Sequence, residues 1–326
     1  MCIPVRNEEG FIEKTIGELQ AQDYPHDRYE IIVADGESTD RTAEIVGSIC
    51  SKHSNVLLFN NPQRRSSAGR NIGFKNGKGE IFLVVDGHCL IASDQLFRNI
   101  TSCFERSGAQ CLGRPQPLDP PGINDFQKAV ALARGSSIGH GGDSLIYSNH
   151  EGFVSPVSHG AIFRREVFEK VGYVDEAFDA CEDVDFNYRV EKAGFKTYMS
   201  PSLAIKYYPR ENLSSLWRQM LRYGKGRFQF LQKHPETLTI MGMVPPIFVA
   251  ALFLLVILSF ILPVFFYSLA IIYGFYLLVV IAYSLKISFR EKLAYLQYLP
   301  MIYFVIHFGL GFGFLAKSIK RISGQN

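Results

Sequence analysis

Residues 238–285 contain no Asp, Glu, Lys or Arg. At about 1.5 Å of rise per helical residue, such a run is roughly twice what a ~30 Å hydrocarbon layer requires, so it reads as two spans. Residues 293–316 are also uncharged and long enough for a third. Acid is scarce beyond residue 285: Glu291 stands against Lys286, Arg290, Lys292, Lys317, Lys320 and Arg321, a net of +5. The whole chain carries +3 at pH 7, which leaves the preceding part at −2. That part therefore lacks the concentrated positive charge of a general nucleic-acid binder. The six cysteines never fall in CxxC spacing, so neither a zinc site nor a disulfide framework is indicated, and a reducing compartment fits. No signal-peptide pattern opens the chain, so the expectation is a soluble part on the cytoplasmic side.

What is present before residue 238 is an alternation of strand-like and helix-like segments. Residues 1–5 are apolar, and Ile12, Ile16 and Leu19 then recur at helical spacing. Residues 30–34, apolar after Glu30, form a strand-like run ending at Asp35-Gly36. Ser38, Thr39 and Asp40 offer N-cap chemistry for a helix carrying Ala43, Ile45, Val46 and Ile49. Residues 56–59 are a third strand candidate, 67–75 a helix, and 80–85 a fourth strand ending at Asp86-Gly87-His88. This rhythm predicts an α/β domain with a mainly parallel, Rossmann-like sheet, whose ligands bind beyond the carboxyl ends of the strands. Asp35 and Asp86 sit at two such ends. Residues 113–160 lose the pattern and read as a loop-rich insertion. A strand is expected over 157–163, a short helix over 164–170 and a longer one over 182–193. Residues 213–232 are basic and aromatic and lead directly into the first apolar run.

Four segments resemble one family in order and spacing. They are Ile3-Pro4-Val5-Arg6-Asn7-Glu8-Glu9, Val33-Ala34-Asp35-Gly36-Glu37-Ser38-Thr39-Asp40, Gly69-Arg70-Asn71-Ile72-Gly73 and Glu182-Asp183-Val184-Asp185. Together they resemble the family 2 glycosyltransferases of GT-A fold. The soluble part followed by apolar spans looks most like exopolysaccharide glucosyltransferases of the succinoglycan type.

The resemblance implies roles for particular residues. Pro4, Val5, Arg6, Glu8, Asp35, Arg70, Asp86 and Gly87 would line a nucleotide-sugar pocket, with Asp35 accepting from the uracil ring N–H. Asp-Gly is also ordinary turn chemistry. Asp86-Gly87-His88 falls where the family carries Asp-X-Asp, so Asp86 and His88 are candidate ligands for a divalent cation, Mn²⁺ or Mg²⁺. His in place of the last Asp favours softer first-row metals over Mg²⁺. Asp183 would be the general base toward the acceptor hydroxyl and Glu182 would orient the acceptor. Acids at a helix start also serve its dipole. Gln219, Arg222 and Tyr223 resemble the family's Gln-x-x-Arg-Trp element, where Tyr could stack on a sugar and Arg reach a pyrophosphate. An amphipathic interfacial helix is the plainer account of that segment. His159 is a candidate acceptor-site residue; His140 and His150 show no ligand spacing.

The expected organisation is a catalytic domain over 1–212, an interfacial helix over 213–237, and a membrane region over 238–326 with spans near 240–262, 264–285 and 298–316. The expected function is inverting transfer of a hexose from a UDP-sugar to a polyprenyl-diphosphate-linked saccharide at the cytoplasmic membrane face. A processive polysaccharide synthase is the nearest rival, although three spans are few for an export channel. A transporter or scaffold with a nucleotide-sensing domain is disfavoured by apolar runs whose only ionisable side chain besides tyrosine is His307. A nicotinamide dehydrogenase would place GxGxxG where Arg6-Asn7-Glu8-Glu9-Gly10 stands. One tension remains in the topology. Three full spans would put Lys317, Lys320 and Arg321 on the far side, against the positive-inside tendency. Gly309, Gly311 and Gly313 would suit a re-entrant or interfacial segment instead.

Overall fold

The computed structural model describes residues 1–139 and 145–324, without the side chains of residues 158 and 159. Along the chain run β1 (Cys2–Val5), α1 (Ile12–Gln20), β2 (Ile31–Asp35), α2 (Thr42–Cys50), β3 (Val56–Asn60) and α3 (Ser66–Asn76). Next come β4 (Ile81–Leu83), β5 (Cys89–Leu90), α4 (Leu96–Ser107), β6 (Cys111–Gly113) and α5 (Asp125–Arg134). Then follow β7 (Gly152–Val154), α6 (Pro156–His159), β8 (Gly160–Arg164), α7 (Arg165–Val171), α8 (Glu182–Lys192), β9 (Thr197–Met199) and β10 (Lys206–Tyr207). The last four helices are α9 (Leu213–Lys233), α10 (Ile240–Ser259), α11 (Pro263–Arg290) and α12 (Leu299–Ile322).

The chain divides into two compact units: Met1–Pro121 with Ser144–Tyr208, and Gly122–Asp143 with Pro209–Asn326. In the first unit, β1, β2 and β3 pair in parallel in the order β1-β2-β3. β2 is apolar from Ile31 to Ala34 and buried on both faces, as a central parallel strand should be. The bridge from Cys2 to Val84 carries the sheet on into a second set, β4-β8-β6-β9-β7. That set is mixed: β6 and β9 are parallel, while β8 runs antiparallel to both β4 and β6. The expected parallel rhythm thus describes the first half of the unit, and the second half inserts antiparallel strands. Helix α1 buries Ile12, Ile16 and Leu19, its i, i+4, i+7 stripe, in the main core.

Two segments differ from the sequence reading. The loop-rich 113–160 stretch contains α5, which is fixed by a capping box: Asn124 Oδ1 accepts from the Gln127 N–H at 2.8 Å, and the Gln127 side chain accepts from the Asn124 N–H at 3.0 Å. The strand expected over 157–163 begins only at Gly160, because Pro156 at a first helical position opens the short turn α6.

In the second unit, α10, α11 and α12 are each long and apolar enough to cross a membrane. Helix α11 continues through Lys286 and Arg290, so the basic cluster expected as a loop is largely the last turns of a helix. Residues 309, 311 and 313 lie within the continuous helix α12.

Candidate active site

The carboxyl ends of β1, β2 and β3 lie side by side, with Val5, Asp35 and Asn60 in register. The loops that follow β1 and β2 clasp each other. The Asn7 N–H donates to Ser38 Oγ at 2.9 Å, the Thr39 N–H to Asn7 Oδ1 at 2.8 Å, and the Glu8 N–H to Thr42 Oγ1 at 2.7 Å. Asp35 is 7% exposed, and its carboxylate accepts from the Ser38 N–H at 3.1 Å and the Ser38 hydroxyl at 2.5 Å. The Asp35 turn is thus a real turn and also holds a carboxylate at a strand end. Pro4 and Val5 stand beside it, and Arg6 is exposed in the loop.

Helix α3 explains the Gly69–Gly73 segment. A Cβ at Gly69 would lie 2.8 Å from Pro4 Cβ, and one at Gly73 would lie 2.2 Å from Cys2 Sγ, so only glycine lets α3 approach β1 this closely. The Asn71 amide donates to Val174 O at 2.8 Å and to Glu176 Oε1 at 2.7 Å, and its oxygen accepts from the Val174 N–H at 3.0 Å. These bonds staple to α3 the segment that leads into α8. Arg70, between them, meets Glu182 with Nη2 to Oε1 at 3.3 Å; its Nε is buried with no hydrogen-bond partner.

Around the Arg70 guanidinium stand three carboxylates, Glu182, Asp183 and Asp86. Burial opposes its charge, but the three acids outweigh burial and hold it more firmly protonated than an ordinary arginine. Burial pushes the Glu182 carboxyl up, with Arg70 opposing and the charge of Asp183 adding to the rise. Asp183 is exposed. One of its oxygens accepts from the Val184 N–H at 2.9 Å, and the other has no protein partner among the described residues. Asp185, two residues on, is fully buried against Arg189 at 3.1 Å.

Asp86, Gly87 and His88 pack on the β1 loop. A Cβ at Gly87 would meet Val5 Cγ1 at 2.9 Å, and the Gly87 carbonyl accepts from Thr15 Oγ1 at 2.9 Å. His88 Nδ1 lies 2.8 Å from Glu8 Oε1. Glu8, expected in the nucleotide pocket, therefore directly orients the imidazole. Among the described residues no three His, Cys, Asp or Glu side chains come together as a metal site. The Asp86 carboxylate has no hydrogen-bond partner among the described residues; one carboxylate and one imidazole do not complete a cation site, so a cation here would draw its other ligands from a bound diphosphate, and the imidazole would favour Mn²⁺ over Mg²⁺.

Arg114 was not singled out from the sequence. It follows β6, is 2% exposed, and donates from Nη2 to the Tyr207 hydroxyl at 2.8 Å. Its Nε and Nη1 are buried without partners, and Asp86 is among its electrostatic neighbours. An arginine directly after a buried strand was the available signal.

Gln219, Arg222 and Tyr223 belong to α9 of the second unit, where Gln219 Nε2 donates to the Tyr223 hydroxyl at 3.2 Å. The His159 side chain and all of His140 lie outside the described residues.

Comparison with known proteins gives the family. Residues 1–172 match glycosyl transferase family 2, and residues 117–316 match glycosyl transferase family group 2. The succinoglycan biosynthesis protein ExoA of Rhizobium meliloti (strain 1021) is 33% identical over 236 residues, which are 72% of this chain and 70% of that one. The dolichyl N-acetyl-alpha-D-glucosaminyl phosphate 3-beta-D-2,3-diacetamido-2,3-dideoxy-beta-D-glucuronosyltransferase of Methanococcus voltae is 28% identical over 327 residues, 98% of this chain and 97% of that one. The mannosyltransferase PcManGT from Pyrobaculum calidifontis, solved in complex with GDP-Man and Mn²⁺, shares the fold with a TM-score of 0.59 at 17% identity, over 99% of this chain and 86% of that one. The chain belongs to glycosyltransferase family 2: it is a glycosyltransferase of GT-A fold with three C-terminal helices apolar enough to cross a membrane.

Proposed function

We propose that the chain transfers a hexose, with inversion, from a UDP-sugar to a polyprenyl-diphosphate-linked saccharide at the cytoplasmic face of the membrane, in cell-surface or exopolysaccharide synthesis. The observation that carries this reading is the grouping of Asp86, Glu182 and Asp183 around the buried Arg70, with Asp183 exposed and one of its oxygens unused. The names of two relatives support different parts of this reading: one, succinoglycan biosynthesis, supports the exopolysaccharide role, and the other, a dolichyl-phosphate-linked sugar, supports a lipid-linked acceptor. Asp35 suits a base that presents a ring N–H. Uracil and guanine both do, so the GDP-Man complex of the structural relative makes GDP-sugars the control.

In a single displacement, the acceptor hydroxyl oxygen attacks the anomeric carbon. The bond from that carbon to the diphosphate oxygen breaks, and the hydroxyl proton passes to Asp183. Arg70 keeps Glu182 in place beside the base, and Glu182 orients the acceptor. A divalent cation held by Asp86 and His88 would neutralise charge on the departing diphosphate. The contact from Glu8 fixes the His88 ring, as carboxylates behind metal-bound histidines do.

The test is a panel of nucleotide sugars with lipid-linked acceptors, run on the wild type and on Asp183→Asn. Asn keeps the shape of the side chain and still serves a helix start. Transfer from UDP-hexose should fall by about 10²- to 10⁴-fold in the variant, with UDP affinity and melting unchanged. Near-normal transfer by Asp183→Asn would remove the base and the mechanism with it.

A further inference from the structure

The three apolar helices of the second unit differ in what surrounds them. The most apolar stretches of α10 and α11 are 11% and 6% buried, and Phe253, Ile257, Phe260, Phe266 and Ile271 stand on the surface. The corresponding stretch of α12 is 56% buried, by protein of its own unit. Its main companion is α9. A Cβ at Gly224 of α9 would lie 2.2 Å from Leu310 O, one at Gly313 would lie 2.2 Å from Leu221 O, and one at Gly309 would lie 2.6 Å from Met220 Cβ. The contacts advance together along both helices, from Met220 with Gly309 to Gly224 with Gly313 to Phe228 with Phe314, whose rings are 5.1 Å apart. The two helices therefore run side by side in the same direction. Helix α12 also meets α10, through residues 308–312.

Helix α9 has the wrong composition to cross a bilayer. It carries Arg218, Arg222, Lys225, Arg227 and Lys233, all exposed, and no acid. If α12 spanned the membrane, α9 would be drawn through hydrocarbon beside it together with these cations, which is strongly disfavoured. We propose that α9 and α12 lie together in the headgroup layer as a two-helix platform for anionic phospholipid, and that only the α10–α11 hairpin crosses the bilayer.

Charge agrees with this placement. Because the helices run parallel, Lys317, Lys320 and Arg321 finish at the same end of the pair as Lys225, Arg227 and Lys233. Among the described residues, Lys225, Arg227, Lys317, Lys320 and Arg321 have no acidic partner; the nearby acid Glu236 lies 3.9 Å from His234. Unpaired cations on a partly apolar platform are what an anionic leaflet attracts. The basic C-terminus then stays on the side of Lys286, Arg290 and Lys292, and the conflict with the positive-inside tendency disappears. Gly309 and Gly313 serve close packing against α9, and Gly311 serves α10, where a Cβ would lie 2.5 Å from Pro245 O.

The test reads position rather than activity, so it stands or falls apart from the catalytic proposal. Single cysteines are placed in the full chain as Ile261→Cys in the α10–α11 turn, Glu291→Cys, and Ser323→Cys after α12. Native cysteines stay in place, and labelled peptides are resolved by mass after an impermeant maleimide is applied to right-side-out and inside-out membrane vesicles. Ile261→Cys should react from one side, and Glu291→Cys and Ser323→Cys from the other. Labelling of Ser323→Cys together with Ile261→Cys would make α12 a span and end the proposal. Depth gives a second reading. Nitroxides at the exposed positions Met301, Phe304, Ala316 and Ile319, which extend over about 27 Å of helix, should all report headgroup depth in nanodiscs of phosphatidylglycerol and phosphatidylcholine. A depth profile passing through the bilayer centre overturns the platform. Replacing Lys225, Arg227, Lys317 and Lys320 by Gln should raise aqueous accessibility of these labels several-fold in the mixed lipid and leave it unchanged in pure phosphatidylcholine. An equal change in both lipids would exclude recognition of anionic headgroups.

Discussion

Replacing Arg70 by Met removes the guanidinium but keeps the bulk of its stem, and leaves Glu182 buried beside Asp183 without its counter-charge. The two side chains are 15% and 8% exposed, so this is a pair largely withdrawn from water. Breaking a buried pair from one side costs about 3–5 kcal/mol. The residual exposure of Arg70, and the option for Glu182 to take up a proton, place this case near the lower end, about 3 kcal/mol. Glu182→Gln should cost less, because Arg70 keeps Asp183 and Asp86 as neighbours. The double variant, with neither charge, should recover most of the loss and leave a coupling of about 2 kcal/mol between the sites. For a unit of this size, 3 kcal/mol corresponds to a fall in Tm of about 6–12 °C. The protein supplies its own reporter. All six cysteines lie in the first unit, five of them buried, whereas the single tryptophan, Trp217, is in the second. A melt followed with a thiol-reactive fluorophore therefore reads the first unit alone. If Arg70→Met melts within about 2 °C of the wild type, or the double variant simply adds the two losses, the pair does not hold Glu182 in place beside Asp183, the proposed base.

Asp35→Ala should weaken UDP binding by about 5- to 150-fold, the equivalent of about 1–3 kcal/mol for a lost hydrogen bond, without changing the thiol melt; unchanged calorimetric affinity would take Asp35 out of the pocket. Transfer should stop in chelator and return with Mn²⁺ at least as well as with Mg²⁺, and His88→Asp should shift the preference toward Mg²⁺; full activity in excess chelator would dismiss Asp86 and His88 as ligands. Burial and the charge of Asp183 raise the Glu182 carboxyl above its unfolded value, so the folded state holds the proton more tightly. Its contribution to stability is then present at low pH and declines as pH rises through the folded value. Glu182→Gln should flatten that decline in melts between about pH 4.5 and 8, and an identical slope in both proteins would contradict the assigned shift.

The legible parts of this fold are those in which one residue type answers one local demand. The buried run of β2, the 3.6-residue stripe of α1 and the uncharged lengths of α10 and α11 declare themselves by period and composition. Helix α5 escaped because its surroundings are rich in proline and glycine, and its signal is the capping pair Asn124 and Gln127 rather than a long apolar stripe. The pairing of β8 between β4 and β6 was not readable, since those partners are about 50 to 80 residues away and the strand carries no mark of its orientation. Arg114 illustrates the same limit: its importance comes from burial and two orphaned nitrogens, and neither is a property of the residue alone. Hydropathy likewise ranked α12 with α10 and α11, although its apolar surface is used against α9 and α10.

The four non-glycine residues found in left-handed backbone conformation among the described residues are Asn7, Glu37, Arg64 and Cys181. The first three follow β1, β2 and β3, and the fourth is the residue before Glu182. For an ordinary L-residue that conformation costs roughly 1–2 kcal/mol, and it persists only where neighbouring contacts dictate it. The contacts are present. Asn7 is held by Ser38 and Thr39 across the loop pair, Glu37 and Arg64 form an ion pair with each other, and the Cys181 carbonyl accepts from the Asp185 N–H at 3.0 Å. A reader of the sequence looks for glycine at such turns and finds none at these four positions. The backbone shape that aims Asp35 and the Glu182-Asp183 pair is thus imposed by neighbouring loops against local preference. This is why the motifs announce a site while its geometry becomes visible only in three dimensions.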